Sequence, residues 1–215
     1  MMTRKNMNPA LLGFLLGSLA TAPAAPTLAE GLVARIEARR AHTKDLVAHF
    51  VQSYRSGLLG RELVESGVVS IKRPGRMRWE YQEPERKLFL SDGRSFYFYV
   101  PEDRQVIIQA QDDRQSLAAR LLFGDGGLLD EFEASLDEPF EEGVLRLHLV
   151  PRQESAELQG AYVDAEPSGV IRSILLEDIQ GNRTLFRFDD LRENTGLPDR
   201  LFEFKIPSGV EVIRG

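Results

Sequence analysis

Cysteine is missing from all 215 residues, and that one absence removes disulfides, thiolate metal sites, thiol nucleophiles and acylation of an N-terminal cysteine. Histidine is scarce. His42, His49 and His148 are the only three, and none has a second histidine or a carboxylate at the spacing that a zinc site on one helix or turn uses. There is no G-x-S-x-G elbow, and Gly124-Asp125-Gly126-Gly127 lacks the strand-to-helix setting and the lysine of a phosphate loop. The acidic pairs Asp112-Asp113, Glu141-Glu142 and Asp189-Asp190 fall at predicted turns, where solvated charge is the ordinary reason for them. The expectation is a protein that is not an enzyme and carries no metal or cofactor. Positive charge is also in deficit, with 27 Lys and Arg against 33 Asp and Glu, a net charge of -6. Nucleic acid and anionic lipid are therefore disfavoured as generic partners. Beyond residue 20 no apolar run approaches the roughly 18 residues of a spanning helix, so the rest of the chain reads as soluble.

What is present begins with a leader. Arg4 and Lys5 precede an apolar run from Ala10 to Ala20, which has the length of a signal-peptide core and is short for a bilayer span. Thr27-Leu28-Ala29 puts small residues where signal peptidase needs them, whereas a cut after Ala25 would leave Pro26 first. The expectation is a cleaved signal peptide over residues 1–29 and a single domain over 30–215. Removing Arg4 and Lys5 leaves 25 basic against 33 acidic residues, or -8.

The stretch from Ile71 to Val100 organises the remainder. Met77, Trp79 and Tyr81 alternate with Arg76, Arg78, Glu80 and Gln82, a period of two that gives a strand one dry face. Pro74-Gly75, the Glu83-Pro84-Glu85 corner and Asp92-Gly93 break the stretch into hairpins. Upstream, Leu32, Val33, Ile36 and Ala41 form an apolar stripe that predicts a helix over Glu30 to Thr43. Strands are predicted over Leu46 to Tyr54 and Leu63 to Lys72, and again over Gln105 to Gln109. Asp112-Asp113 then stand at an N-cap position, Leu117, Ala118, Leu121 and Leu122 predict a helix, and Gly124 stands where a left-handed C-cap is favoured. A second short helix is expected over Leu128 to Phe132. Later strands are expected over Phe132 to Leu136, Val144 to Val150, Ala161 to Ala165, Val170 to Asp178, Thr184 to Leu191 and Leu201 to Ile206, for about eleven or twelve in all. Twelve phenylalanines and five tyrosines supply more apolar surface than one wet-faced sheet buries. Pattern alone fits either a self-filled barrel or a sheet closed over something else.

Several of these pieces occur in a particular order. Phe50-Val51-Gln52 follows the basic helix; Lys72-Arg73-Pro74, Arg78-Trp79-Glu80-Tyr81 with Pro84, Ser91-Asp92-Gly93 and the run Phe96-Tyr97-Phe98-Tyr99 come next. Asn194, the stretch from Phe202 to Pro207 and Gly209-Val210-Glu211-Val212 end the series. The set resembles the periplasmic outer-membrane lipoprotein carrier family (LolA), from about residue 30 to the end. The resemblance implies a mainly β fold: an unclosed, strongly curved antiparallel half-barrel of about eleven strands with a helical lid over an apolar cavity. It further implies a periplasmic, monomeric shuttle without nucleic-acid partners. The cargo would be acylated lipoproteins, taken from an inner-membrane lipoprotein-releasing ABC transporter and handed to an outer-membrane acceptor lipoprotein. Arg73 would latch the lid by bonding main-chain carbonyls of its helices, and Met77, Trp79, Tyr81, Phe96, Phe98, Leu117 and Leu121 would line the cavity. Met77 stands where some relatives carry an aromatic. A sensor or adaptor on the same half-barrel, binding lipid or a membrane-protein loop without transfer, is the alternative reading.

Overall fold

Short runs of alternating apolar and polar residues recur between Asp45 and Glu193, interrupted by two helices, and the strands that result form one sheet. In the computed structural model, which describes residues 25–110, 116–139, 141–156 and 158–215, the strands are β1 (Asp45–Arg55), β2 (Glu62–Lys72), β3 (Arg76–Glu83), β4 (Lys87–Asp92), β5 (Ser95–Val100), β6 (Gln105–Ala110), β7 (Phe132–Asp137), β8 (Leu145–Pro151), β9 (Leu158–Ala165), β10 (Ile171–Asp178), β11 (Arg183–Glu193) and β12 (Glu211–Arg214). Their order across the sheet is β12-β6-β5-β4-β3-β2-β1-β11-β10-β9-β8-β7. Neighbours are antiparallel except β12, which runs parallel to β6. β7 and β12 are the two free edges, so the barrel is unclosed.

One face of this sheet holds the main core. Phe50 lies opposite Phe188 and Val69 opposite Trp79, and these rows meet Leu147, Leu149, Val163 and Ile174 from the other wing. Three helices cover that face: α1 (Leu28–His42), α2 (Leu117–Phe123) and α3 (Leu128–Glu131). α1 starts two residues before the expected Glu30 because Thr27 and Glu30 form a reciprocal capping box, each side chain bonding the other's backbone N–H. Leu32, Val33 and Ile36 are fully buried beneath it, each worth about 1.5–3 kcal/mol of transfer free energy.

The ends of β1 and β11 are fastened together. Asn194 takes a left-handed φ of 56°, bonds its N–H to the Asp45 carbonyl at 2.8 Å and accepts from the Lys44 N–H at 2.8 Å. The Asp45 carboxylate accepts from Thr195 N–H and Oγ1 and from Gly196 N–H.

Three expectations need correction. Asp112-Asp113 lie outside the described residues, and the α2 N-cap is Ser116, whose hydroxyl accepts from the Ala119 N–H at 3.2 Å. Gly124 is extended, at φ -66° and ψ 162°, and not left-handed. The stretch from Leu201 to Ile206 is not a strand: a 3-10 turn covers Asp199–Phe202 and the ladder resumes only at Glu211. The alternating Phe202 and Phe204 misled because each fills a site on the outer face of the sheet. Phe202 is buried beside β3 and β4, and Phe204 packs on Tyr97 and Tyr99 with ring centroids 5.2 and 5.4 Å away. Asp199 pairs with Lys72 and Arg76 to hold the segment there. This second apolar layer explains the uninterrupted run Leu88-Phe89-Leu90: Phe89 faces the helices, while Leu88 and Leu90 are buried on the outer side.

Candidate functional site: the lid and the wall beneath it

The turn joining α2 to α3, residues 124–127, is the point where side chains from two other elements converge. Arg73 reaches it from the β2–β3 turn. Its Nη2 donates to the Phe123 carbonyl at 3.4 Å, its guanidinium lies 4.5 Å from the Phe123 ring centroid, and it pairs with the exposed Asp125. The same side chain ties down the C-terminus of α1, with Nε bonding the Thr43 carbonyl and Nη2 the Arg40 carbonyl, both at 3.1 Å. Burial pulls its pKa below the ordinary arginine value. These carbonyls are the ones a helix leaves unpaired at its end, which is why a residue with five donors suits the position.

Arg40, in the last turn of α1, was not among the expected site residues. Its Nε donates to the Gly124 carbonyl at 3.0 Å, and its Nη2 bonds the carbonyls of Gly124 and Arg120, the latter at 3.2 Å. Burial lowers its pKa to about 10; the neighbouring Arg73 pushes the same way and Glu37 opposes. Its Nη1 is buried with no hydrogen-bond partner among the described residues. Glu37, one turn earlier, accepts the Leu128 N–H at 2.6 Å at the start of α3. Gly124 is required by proximity: a Cβ there would lie 2.5 Å from the Arg120 carbonyl and 3.0 Å from Arg40 Nη2. One sequence signal did exist. Leu32, Ile36 and Arg40 are spaced by four, so the arginine extends the buried stripe.

The helices lie over an aromatic wall. Met77, Trp79 and Tyr81 are buried on the inner face of β3, and Leu121 is buried on α2. Trp79 meets Phe50 edge-on at 5.0 Å and Phe186 at 5.5 Å, and Tyr81 meets Phe50 at 4.9 Å. The wall continues through Phe89, stacked on Phe98 at 4.5 Å and 6.2 Å from Phe96. Phe96, Phe98 and Leu117 are only half-buried. The wall turns polar near Tyr81. Its hydroxyl donates to Gln52 at 2.5 Å, and Lys87, paired with the buried Glu65 at 2.5 Å, sits 4.5 Å over its ring. Burial and then the Glu65 charge raise the Tyr81 pKa. The structure thus places the seven expected wall residues on the inner face of β3 and β5 or on α2, with Phe98 meeting the others through Phe89, while Arg73 stands at the edge of the covering helices. An apolar wall beneath covering helices suits the arrangement to holding an apolar ligand.

Fold and site together define a lidded half-barrel whose cover is pinned by main-chain bonds from arginines. Residues 41–205 match the family described as outer membrane lipoprotein carrier protein LolA. The chain belongs to that family. It is 31% identical to the outer-membrane lipoprotein carrier protein of Chromobacterium violaceum, covering 97% of this chain and all of that one. It is 32% identical to the corresponding protein of Bordetella avium over 91% of this chain and 93% of the relative. Among solved structures, an uncharacterized conserved protein from Thermus thermophilus superposes with a TM-score of 0.53 at 14% identity, covering 86% of this chain and 97% of the other. MucB superposes with a TM-score of 0.50 at 15% identity over 86% and 65% of the two chains. These two likenesses concern the fold alone.

Proposed function

We propose that the protein is a periplasmic carrier that shields the acyl chains of lipoproteins against the wall formed by Met77, Trp79, Tyr81, Phe96, Phe98, Leu117 and Leu121, with Arg73 as the latch of the lid. It would load from an inner-membrane lipoprotein-releasing transporter and unload at an outer-membrane acceptor. The observation that carries this reading is the cover itself: apolar helices over an aromatic wall, held at one turn by arginine side-chain bonds that are separate from the ladders of the sheet. Physical need supports it, because each exposed methylene costs about 0.8 kcal/mol in water. Full burial of about 45 methylenes would release roughly 35 kcal/mol, well past the ceiling of about 20 kcal/mol for reversible association. A carrier that also unloads needs a competing closed state, and the latch provides one. The test is to purify the exported protein from periplasm and identify bound lipoprotein by mass spectrometry, then to follow its transfer to outer-membrane fractions. Bound cargo that transfers supports the carrier reading; cargo that binds and never transfers points to a sensor, and a protein that takes up neither lipoprotein nor acyl probe sinks both.

A further inference from the structure

The β1–β2 connection displays two leucines in water. Leu58 is 89% exposed and Leu59 68%, and the turn that carries them is fixed. Ser56 N–H bonds the Arg61 carbonyl at 3.0 Å, Gly60 N–H bonds the Ser56 carbonyl at 2.9 Å, and Leu59 N–H bonds Ser56 Oγ at 3.2 Å. The neighbouring β10–β11 turn braces it: Gly57 N–H donates to Asn182 Oδ1 at 3.0 Å, and Gly57 sits so close to the Gly181 carbonyl that a Cβ would stand 2.5 Å from its oxygen. That second turn adds Ile179, 58% exposed. A loose loop would fold such side chains down; this one holds them out.

Charge surrounds the tip. Arg55 and Arg61 are exposed on either side of the leucines, and among the described residues neither pairs with a carboxylate. A cleft of about 390 Å³ beside them is lined by Arg55, Ser56, Gln159, the tip glycines and Arg183, the last paired with Glu177 at 2.6 Å. Apolar residues that project between two arginines without a carboxylate partner match a bilayer interface, where leucines pass below the headgroups and guanidiniums stop at the phosphates. A protein partner fits less well, because two narrow convex turns offer far less than the roughly 800 Å² per side of a stable protein interface. The net charge of -6 keeps the rest of the molecule away from an anionic surface and so fixes the orientation.

We propose that the β1–β2 tip docks the protein onto anionic phospholipid bilayers. The β1–β2 and β2–β3 turns lie at opposite ends of β2, so docking leaves the Arg73 end free. This surface is independent of the identity of the cargo. The test is flotation of the full-length exported protein with phosphatidylethanolamine/phosphatidylglycerol vesicles and with phosphatidylcholine vesicles at increasing salt. The native protein should float with the anionic vesicles at low salt and release as salt rises. Leu58→Ser with Leu59→Ser should lose roughly tenfold or more in partitioning, and Arg55→Gln with Arg61→Gln should lose the preference for anionic lipid. Both pairs are exposed, so thermal unfolding and acyl-probe affinity should match the native protein. Absence of native binding, equal binding to both lipids, or undiminished binding by the leucine variant would each overturn the proposal. So would binding confined to native membranes and absent from pure lipid, which would assign the tip to a membrane protein.

Discussion

Replacing Arg73 with leucine should make the protein hold acyl ligands more tightly. The side chain makes two kinds of contact, and only one of them resists lid opening. Bonds to the Thr43 and Arg40 carbonyls tie α1 to the β2–β3 turn, whereas the Phe123 carbonyl bond, the Phe123 ring and the Asp125 pair hold the end of α2. The Asp125 pair counts for little because Asp125 is 84% exposed. A hydrogen bond from a charged donor contributes about 1.5–3 kcal/mol, and a partly desolvated cation over a ring about 0.5–2 kcal/mol. At 3.4 Å the bond is long and falls short of that range, so the two contacts together come to about 1.5–3 kcal/mol. If ligand enters only the open form, removing this term raises apparent affinity by up to about 10- to 100-fold, with saturation once the open form dominates. Transfer to an acceptor should slow by a comparable factor. The assay pairs equilibrium displacement of a fluorescent acyl probe with a cargo hand-over measurement, and urea unfolding checks that the fold survives. Weaker probe binding, or unchanged affinity with normal hand-over, would refute the latch.

Arg40→Met keeps the aliphatic stem and deletes the bonds to Gly124 and Arg120, so it should raise probe affinity about tenfold; Arg40→Lys should recover part of the native behaviour. Combining Arg40→Met with Arg73→Leu should give less than the sum of the two effects, since both side chains hold one turn. Burial alone would raise the Asp45 pKa, but hydrogen bonds from Thr195 and Gly196 outweigh it and hold the carboxyl below its usual range. As pH falls through about 4 the unfolded chain therefore binds a proton first, and stability contributed above that pH is lost toward the lower folded value. Urea unfolding at pH 7 and pH 3 should show that loss, and Asp45→Asn should be less stable at pH 7 yet lack that part of the acid dependence. The Thr27–Glu30 capping box and the buried Ala29 give the fold a use for residues ahead of Glu30, so the exported chain should begin upstream of Thr27. Terminal sequencing checks this directly, and Thr27→Ala should then cost about 1 kcal/mol; a start at Glu30 would make that substitution silent.

The sheet was legible because strands with one dry face carry a period of two, and the row Met77, Trp79, Tyr81 stated its face without ambiguity. The outer layer was not. Leu88-Phe89-Leu90 has no alternation to read, since the C-terminal segment covers the second face, and nothing local tells Phe202 and Phe204 that they will cap a sheet instead of joining it. Arg73 stood out through its place in an ordered series of motifs, and its bonds to helix-end carbonyls follow from geometry that a turn residue alone does not reveal. Arg40 was harder. A basic residue in the last turn of a helix has an ordinary explanation in the helix dipole, and its burial depends on the α2–α3 turn, whose Gly124 lies 84 residues later in the chain. Gly124 was legible as a glycine with a reason, but the reason was the approach of Arg40 and not a positive φ.

On the latch reading, the two arginines would also keep the lid from closing too well. Arg73 and Arg40 sit beneath the same turn, and the charge of each disfavours the other: Arg73 is among the causes that lower the Arg40 pKa, after burial itself. Arg40 Nη1 is further buried with no hydrogen-bond partner among the described residues, an arrangement that disfavours the closed state. The closed lid therefore sets strong carbonyl bonds against like-charge repulsion and a desolvated donor. Opening would break the bonds while returning Nη1 to water and relieving the repulsion, so the two states lie closer in free energy than the bond count suggests. An apolar ligand adds its transfer free energy to the open side only. Under the carrier reading proposed above, such a small gap would let that addition tip the balance on loading and its removal tip it back, so one molecule would both accept and release cargo.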